Sequence, residues 1–311
     1  MRSTSPPPAG RRPARIFIVG SQRSGTTVMQ AVLARNAGLY TLPETHLLQH
    51  VLGGLDEWMR GDVAYSERKW QKRLRWARWG TCADLKRALA PLLDEKSFGL
   101  KLRRRLGGAG YIKEFVRLMD TAAVLTSAPG WIEKTPEHFA YVDIIERYIP
   151  DAQFIHMVRR GQDVVASAVD GELRYATHGA FRGGVSYWAE RWNRALATHL
   201  RCLDKPNHHI LRYEDFAADP DYWTSYLLTA LHLPATAAPQ GTSQQVQVAD
   251  VAAEPWKSSS INSPIAPADS KFAALFGPDL QQWLHENLSD YLAFTAELKS
   301  RRFAAQSHTR V

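Results

Sequence analysis

Short apolar runs followed by helical periodicity recur three times along the 311-residue chain. The first run, "IFIV" at 16–19, leads through a turn into a pattern that predicts a helix over 26–35. The second, "QFIHMV" at 153–158, precedes a helix from about Gln162, and the third, "HHILRY" at 208–213, is followed by "AADP", which opens a helix near Asp219. Buried strands alternating with helices predict an α/β fold with a central parallel β-sheet, right-handed crossovers, and ligands beyond the carboxyl ends of the strands. Val185, Trp188, Trp192, Leu196 and His199 recur near a 3.6-residue period, so a helix over 185–203 should bury one face. Helical spacing returns over about 278–303. Residues 1–14, rich in Pro, Ser and Arg, predict a disordered tail ahead of a single domain over 15–311. Within that domain, about 51–130 reads as a helical insertion dense in Arg, Lys and Trp. About 234–268 reads as a long loop, the kind of segment that serves as a lid.

Composition narrows the function classes. No apolar run approaches the roughly 18 residues that a membrane-spanning helix needs. Cys82 and Cys202, without CxxC spacing, argue against a disulfide framework or a zinc site and fit a cytoplasmic location. The histidines form no pair at metal-ligand spacing on a helix, so no metal is expected. The net charge of +8 points to a polyanionic partner: nucleic acid, an anionic membrane or a highly charged cofactor.

The turn after the first strand favours the last of these. In "GSQRSGTT", Gly20 and Gly25 stand at the spacing of a G-x-x-x-x-G-K-[ST] phosphate loop, but Thr26 occupies the lysine position and Arg23 lies inside the loop. A strand, a glycine turn and a helix N-terminus aim several N–H groups and the helix dipole at one point. Thr26 and Thr27 add hydroxyls, and the Arg23 fork can grip phosphate or sulfonate oxygens in bidentate fashion. A turn that merely joins strand to helix is the plainer alternative; "RSGTT" directly after an apolar strand favours an anion site.

Two motifs in order carry a family resemblance. "QRSGTT" at 22–27 resembles the P-[RK]-S-G-T-T loop of sulfotransferases that use 3'-phosphoadenosine 5'-phosphosulfate (PAPS), with Gln22 in place of the proline. "FIHMVRRGQDVVAS" supplies Arg159 and Ser167 at the spacing of that family's 3'-phosphate pair. "LPETHLL" and "EKTPEH" are similar to segments of protein-tyrosine sulfotransferases that carry a base, here Glu44, and a lysine near the transferred group, here Lys134. "YWAERWNRAL" and "LRYEDFAADP" are similar to the same group and its bacterial relatives.

The resemblance implies a P-loop-like sulfotransferase fold. It also implies metal-independent, in-line transfer of a sulfuryl group from PAPS to a hydroxyl, leaving 3',5'-bisphosphoadenosine (PAP). Catalytic candidates are Glu44, Lys134 and Arg23, with His46 competing for the role of base. Cofactor-binding candidates are Gln22, Arg23, Ser24, Gly25, Thr26, Thr27, Arg159, Ser167 and Tyr213, joined by Lys257 and Ser260 of "EPWKSSSINSP". As a base Glu44 would need its carboxyl raised by burial, whereas an imidazole starts closer to neutrality.

Plainer readings stand beside these. Arg159 could simply pair with Asp163, Ser167 could be a small packed residue, and Tyr213 could belong to the core. The acceptor stays open among a lipid, a glycan, a small molecule and a peptide tyrosine, as does oligomeric state; nucleic acid is not expected as a partner. The basic, Trp-laced stretch at about 68–79 reads first as an amphipathic helix that buries its tryptophans. Single-stranded nucleic acid binding and peripheral membrane contact are its alternatives. Two other classes remain for the whole chain. One is an atypical P-loop kinase, which needs a magnesium-binding carboxylate such as those of "LRYED"; the other is a non-enzymatic nucleic-acid-binding protein.

Overall fold

The computed structural model describes residues 12–53, 55, 74–176, 182–235, 248–249, 254–257, 265 and 271–308, with side chains to 301. Its centre is a five-stranded sheet of β1 (Ala14–Gly20), β2 (Tyr40–Thr41), β3 (Gly130–Lys134), β4 (Ala152–Val158) and β5 (His208–Arg212), in the order β2-β3-β1-β4-β5. Every pairing is parallel. β1 is the central strand, and Ile16 to Val19 are fully buried, the near-continuous apolar run expected of a strand covered on both faces.

Strand alternation sorts the core into two layers. Phe17 and Val19 of β1, Trp131 of β3 and Phe154 of β4 join one hydrophobic cluster with residues of the helices at 81–88, 108–125 and 184–201. Ile16, Ile18, Ile132, Ile155 and Met157 point the other way, onto α1 (Thr26–Ala37) and the helix Pro220–Ala230. Asp219 caps that second helix by accepting from the Tyr222 N–H at 3.0 Å, as "AADP" predicts. Trp188, Trp192, Leu196 and His199 are buried along the helix Gly184–Arg201, in accord with the periodicity.

Several expectations need correction. Ala14, assigned to the tail, begins β1: its N–H donates to Pro129 O at 3.0 Å, and it pairs with Gly130. Two strands escaped the hydrophobic pattern. β2 has only two residues, and β3 ends in the buried charges Glu133 and Lys134, which an apolar-run criterion rejects. β3 thereby begins inside the 51–130 stretch read as helical. Of the predicted loop at 234–268, the described part includes a short 3₁₀ turn, Pro255–Lys257. Residues 68–73 lie outside the described residues. Trp76 and Trp79, which the amphipathic reading buries, are 68% and 96% exposed.

The histidines, unpromising by spacing, meet in space. His156 Nδ1 lies 2.7 Å from His199 Nδ1, His156 Nε2 lies 2.8 Å from His208 Nδ1, and His208 Nε2 lies 3.0 Å from Glu146 Oε1. Glu146, itself bound by Lys205 at 2.6 Å, can only accept. That fixes one direction of donation along the chain, from His199 through His156 to His208. Burial is the largest cause that lowers all three imidazoles: His156 falls well below its ordinary value, His199 to about 3 and His208 to about 4. His156, Cys202 and His208 also bring potential ligand atoms within 4.8 Å of one another, but these His156 and His208 nitrogens already bond each other.

Imidazoles held neutral in the fold but free to protonate when unfolded make stability fall with pH. The loss begins near 6.5 and continues towards the folded values, at up to about 1.4 kcal/mol per pH unit for each group. Urea titrations at pH 7 and pH 5 should give a clearly lower midpoint at pH 5, while imidazole ¹⁵N shifts of the three residues stay those of neutral rings. Protonated rings at pH 5 in the folded protein would contradict the assignment.

Candidate active site

The parallel register brings four strand ends level. Ile18 pairs with Lys134, Gly20 with Met157, and Val158 with Arg212. The turn after β1, Lys134 at the end of β3, Arg159 after β4 and Tyr213 after β5 therefore cluster along one edge. The chain continues from β1 to one side and later crosses to the other, the arrangement that opens a ligand crevice at strand carboxyl ends.

The turn is built from strained but satisfied backbone. Gly25 has φ +94°, and a Cβ there would lie 2.4 Å from the Tyr213 ring, so only glycine lets that ring pack against the start of α1. Arg23 takes the left-handed region, φ +69°, which is uncommon outside glycine. Ser24 turns inward: its hydroxyl donates to Ser21 O at 2.6 Å, so it shapes the turn. Arg23 Nε donates to Ser167 Oγ at 3.0 Å, and Arg159 Nη1 donates to Arg23 O at 3.3 Å. Arg159 also lies over the Tyr213 ring at 5.0 Å. Burial first, and the like charge of Arg159 second, push the Arg23 guanidinium down from its ordinary value.

On the β3 side, Glu133 is a hidden anchor. Its carboxylate accepts from Thr45 at 2.8 Å and Thr135 at 2.6 Å. It also bonds His138 Nδ1 at 2.7 Å, while His138 Nε2 accepts the Leu48 N–H at 3.2 Å. With Thr45 pinned, its neighbours Glu44 and His46 flank the pocket. Glu44 Oε1 accepts from Lys134 Nζ and Lys257 Nζ, each at 2.5 Å, and Lys257 also pairs with Glu254 at 2.5 Å. Burial pushes the Glu44 carboxyl up, but Lys134, Lys257 and then His46 outweigh it and hold the group at about 2. The raised carboxyl that a Glu44 base requires is thus not present in this arrangement. His46 Nε2 lies 3.7 Å from Glu44 Oε2.

A cavity of about 290 Å³ joins the two sides. Of the residues singled out by sequence, Gln22, Arg23, Gly25, Thr26 and Thr27 line it from the turn. Glu44, His46, Arg159, Ser167, Tyr213 and Lys257 line the remaining walls. Lys134 lies beneath Glu44 with no exposed surface, Ser24 faces away, and Ser260 lies outside the described residues. The plainer pairing of Arg159 with Asp163 does not form; Asp163 pairs with Arg160 at 2.9 Å.

Sequence reasoning missed Glu137 and Arg191. Gln22 Nε2 and Arg191 Nη2 both donate to Glu137 Oε1, which fastens the turn to the segment after β3. A signal for Arg191 existed: it sits three residues after Trp188 and beside Trp192, on the buried face of its helix. Trp256 and Glu254 also line the cavity, and Trp256 lies 5.5 Å from the Tyr175 ring. Glu44, His46 and Glu137 offer metal-ligand atoms within 4.8 Å of one another, but both carboxylates are already engaged by cations. Glu214 accepts from Arg160 N at 2.9 Å and from Tyr291 OH at 2.7 Å, and Asp215 pairs with Arg212 at 3.1 Å. The carboxylates that a kinase reading needs are therefore spent on structure.

Known proteins resemble this chain at low identity. The chain is 24% identical over 221 residues to protein-tyrosine sulfotransferase 1 of Danio rerio, which covers 70% of this chain and 53% of that protein. It is 23% identical over 229 residues to the Drosophila melanogaster protein-tyrosine sulfotransferase, covering 70% and 38%. The chain thus spans about half the length of the first relative and less of the second. Among solved structures, the sulfotransferase domain from the curacin biosynthetic pathway aligns at 18% identity and a TM-score of 0.48, covering 94% of this chain and 98% of that one. A Mycobacterium avium sulfotransferase aligns at 14% and 0.48, covering 89% and 76%. The sulfotransferase family model matches residues 13–237, a span that holds the turn, Glu44, Lys134, the Arg159–Ser167 pair and all five strands. By that match the chain belongs to the sulfotransferase family.

Proposed function

We propose that the protein moves a sulfuryl group from PAPS to a hydroxyl acceptor, leaving PAP. One observation carries the reading: three cations, Arg23, Arg159 and Lys257, line one pocket from three separate segments, and the buried ammonium of Lys134 lies behind its Glu44 wall. The like charges of Arg23 and Arg159, close enough to depress the Arg23 guanidinium, favour an anionic ligand between them. Donors line the pocket from two motifs: N–H groups and hydroxyls at 25–27, and Arg159 with Ser167, both bonded to Arg23 of the turn. This donor set suits a nucleotide with an acidic group at each end.

In this reading the turn and Arg23 hold the phosphosulfate, and Arg159 with Ser167 holds the 3'-phosphate. The acceptor oxygen attacks sulfur in line, a new S–O bond forms, and the S–O bond to the 5'-phosphate breaks with its electron pair leaving on PAP. Arg23 and Lys134 stabilise the charge that grows on the leaving oxygen. The acceptor proton passes to Glu44. In the free protein that carboxylate is held by two ammoniums; as the donor's oxygens draw one ammonium away, Glu44 regains basicity. The acceptor is a hydroxyl compound from the lipid, glycan, small-molecule or peptide-tyrosine classes, and the animal relatives are named for the last of these.

Calorimetry without added metal should detect PAP binding that Arg159→Ala and Ser167→Ala each weaken by about tenfold or more, in line with loss of charged hydrogen bonds. Glu44→Gln should not weaken it. Absence of binding at millimolar PAP would sink the proposal. With labelled PAPS and an extract of acceptors, a product should gain about 80 Da, the mass of one SO₃ group. Lys134→Met should then slow turnover by about a hundredfold, and a loss under about tenfold in a variant that melts normally would remove Lys134 from the chemistry.

The pH profile separates the two bases. A carboxyl held low stays ionised from pH 5 to 7, so kcat/KM should show no acid limb there, and Lys257→Met should move that limb upward by removing one of the cations that hold it down. An acid limb near 6.5 that His46→Ala abolishes would assign the base to His46 instead.

A further inference from the structure

Away from the pocket, two short stretches form one exposed face. Trp76, Trp79 and Leu106 are 68%, 96% and 78% exposed. Ala77 N donates to Leu106 O at 2.8 Å. Gly107 comes so close to the preceding backbone that a Cβ would lie 2.8 Å from Arg75 O and 2.9 Å from Leu74 O. The turn carrying both indoles is therefore held alongside 105–107.

Among the described residues, the exposed charge on these two stretches is predominantly positive. Arg75, Arg78, Arg103, Arg104 and Arg105 are exposed on the same two stretches, with Lys86 and Arg87 on the helix that follows. Among the described residues, Asp84 and Glu114 are engaged by arginines. Asp84 is bound by Arg78 at 2.8 Å and Arg87 at 2.6 Å, and buried Glu114 by Arg105 at 2.8 Å and Arg117 at 2.7 Å.

This face also connects to the pocket wall. Asp84 Oδ2 lies 3.7 Å from His50 Nδ1, and Thr81 Oγ1 donates to His50 O at 3.0 Å. The His50 ring in turn lies 6.2 Å from that of His46.

We propose that this face docks the protein peripherally on an anionic lipid bilayer, with the two indoles at headgroup depth and the arginines on lipid phosphates. Indoles favour the membrane–water interface because a large apolar ring carries one polar N–H. Cations beside them add attraction to acidic headgroups that salt weakens. The geometry favours a bilayer over an acidic peptide or a polynucleotide. Among the described residues, nothing forms a second wall around an indole 96% exposed at a turn that could clasp a side chain or sandwich a base, whereas a lipid surface envelops it from one side. Among the described residues no helix is long and apolar enough to cross a membrane, so the contact is superficial.

The test is sedimentation of the full chain with vesicles of phosphatidylcholine alone and of phosphatidylcholine with about one third phosphatidylglycerol, a composition near the acidic-leaflet charge considered for such contacts. The protein should pellet with the acidic vesicles only, with a blue shift of tryptophan emission. Trp76→Ser/Trp79→Ser and Arg103→Glu/Arg104→Glu should each weaken binding by about tenfold or more, as expected when one of two joint membrane signals is lost. Both pairs are exposed, so melting temperature and PAP binding should be unchanged.

Failure to bind acidic vesicles at low salt would overturn the proposal. So would equal binding by the tryptophan variant, or binding of an acidic peptide or polynucleotide through this face in its place. Vesicle binding needs no nucleotide, so loss of PAP binding would remove the proposed reaction while leaving this contact standing.

Discussion

One carboxylate oxygen, Glu44 Oε1, holds two ammonium groups, and the architecture of the site follows from keeping that cluster together. Lys134 has no exposed surface, so its charge is lost to water and must be met inside. Burial lowers the lysine and raises the carboxyl; their mutual attraction opposes both, while Lys257 helps hold the carboxyl low and adds to the lowering of Lys134. An isolated charge at either position would be costly, and a hydrophobic pair of the same volume would serve stability as well or better. A cluster of this kind is better understood as stored electrostatic potential than as a stabilising element. It also ties 254–257 to the end of β3, across 123 positions of chain between Lys134 and Lys257.

Holding that potential in place requires a second, quieter network. Glu133, one residue before Lys134, points to the opposite face of β3 and is satisfied by two threonines and a histidine. Alternation along the strand thus lets one dipeptide serve two purposes: Glu133 fixes the segment that carries Glu44, and Lys134 engages Glu44 itself. Neutralising Glu133 would leave Thr45, Thr135 and His138 each short of an acceptor. The carboxyl is held below its ordinary value by those donors, after burial has raised it.

What the sequence revealed, and what it hid, divides along the same line. The turn at 22–27 and the Arg159–Ser167 pair were legible because each is local: residue types in a fixed order, placed after an apolar strand. β1, β4 and β5 were legible for the same reason. β3 was not, because its charged end is buried only by virtue of partners 88–90 positions away in sequence. The His156–His199–His208 chain was invisible likewise, since it unites two strands and a helix. Glu44 lies on the pocket wall, but the state of its carboxyl was not legible: burial alone predicts a raised value, and the ammoniums of Lys134 and then Lys257, distant in sequence, hold it low. Trp76 and Trp79 fooled the pattern in the opposite sense, because tryptophan in a basic stretch suggests a buried face, and these two point outward.

The contact between Arg23 and Ser167 bears on how a ligand could use the site. These residues belong to different motifs, one after β1 and one on the helix after β4, yet they hydrogen-bond directly, and Arg159 reaches back to the Arg23 carbonyl. The two ends of the proposed anion site are therefore braced against each other, so less ordering is left to be done on binding. The brace is also under tension, for it sets Arg159 beside Arg23 and the two cations repel. Hydrogen bonds hold the two segments together while charge pushes their guanidiniums apart. A bound dianion would reverse the second term without breaking the first. Preorganised repulsion of this kind explains why the turn can dispense with the lysine of a phosphate loop: its charge is supplied by residues that other strands deliver to the same edge.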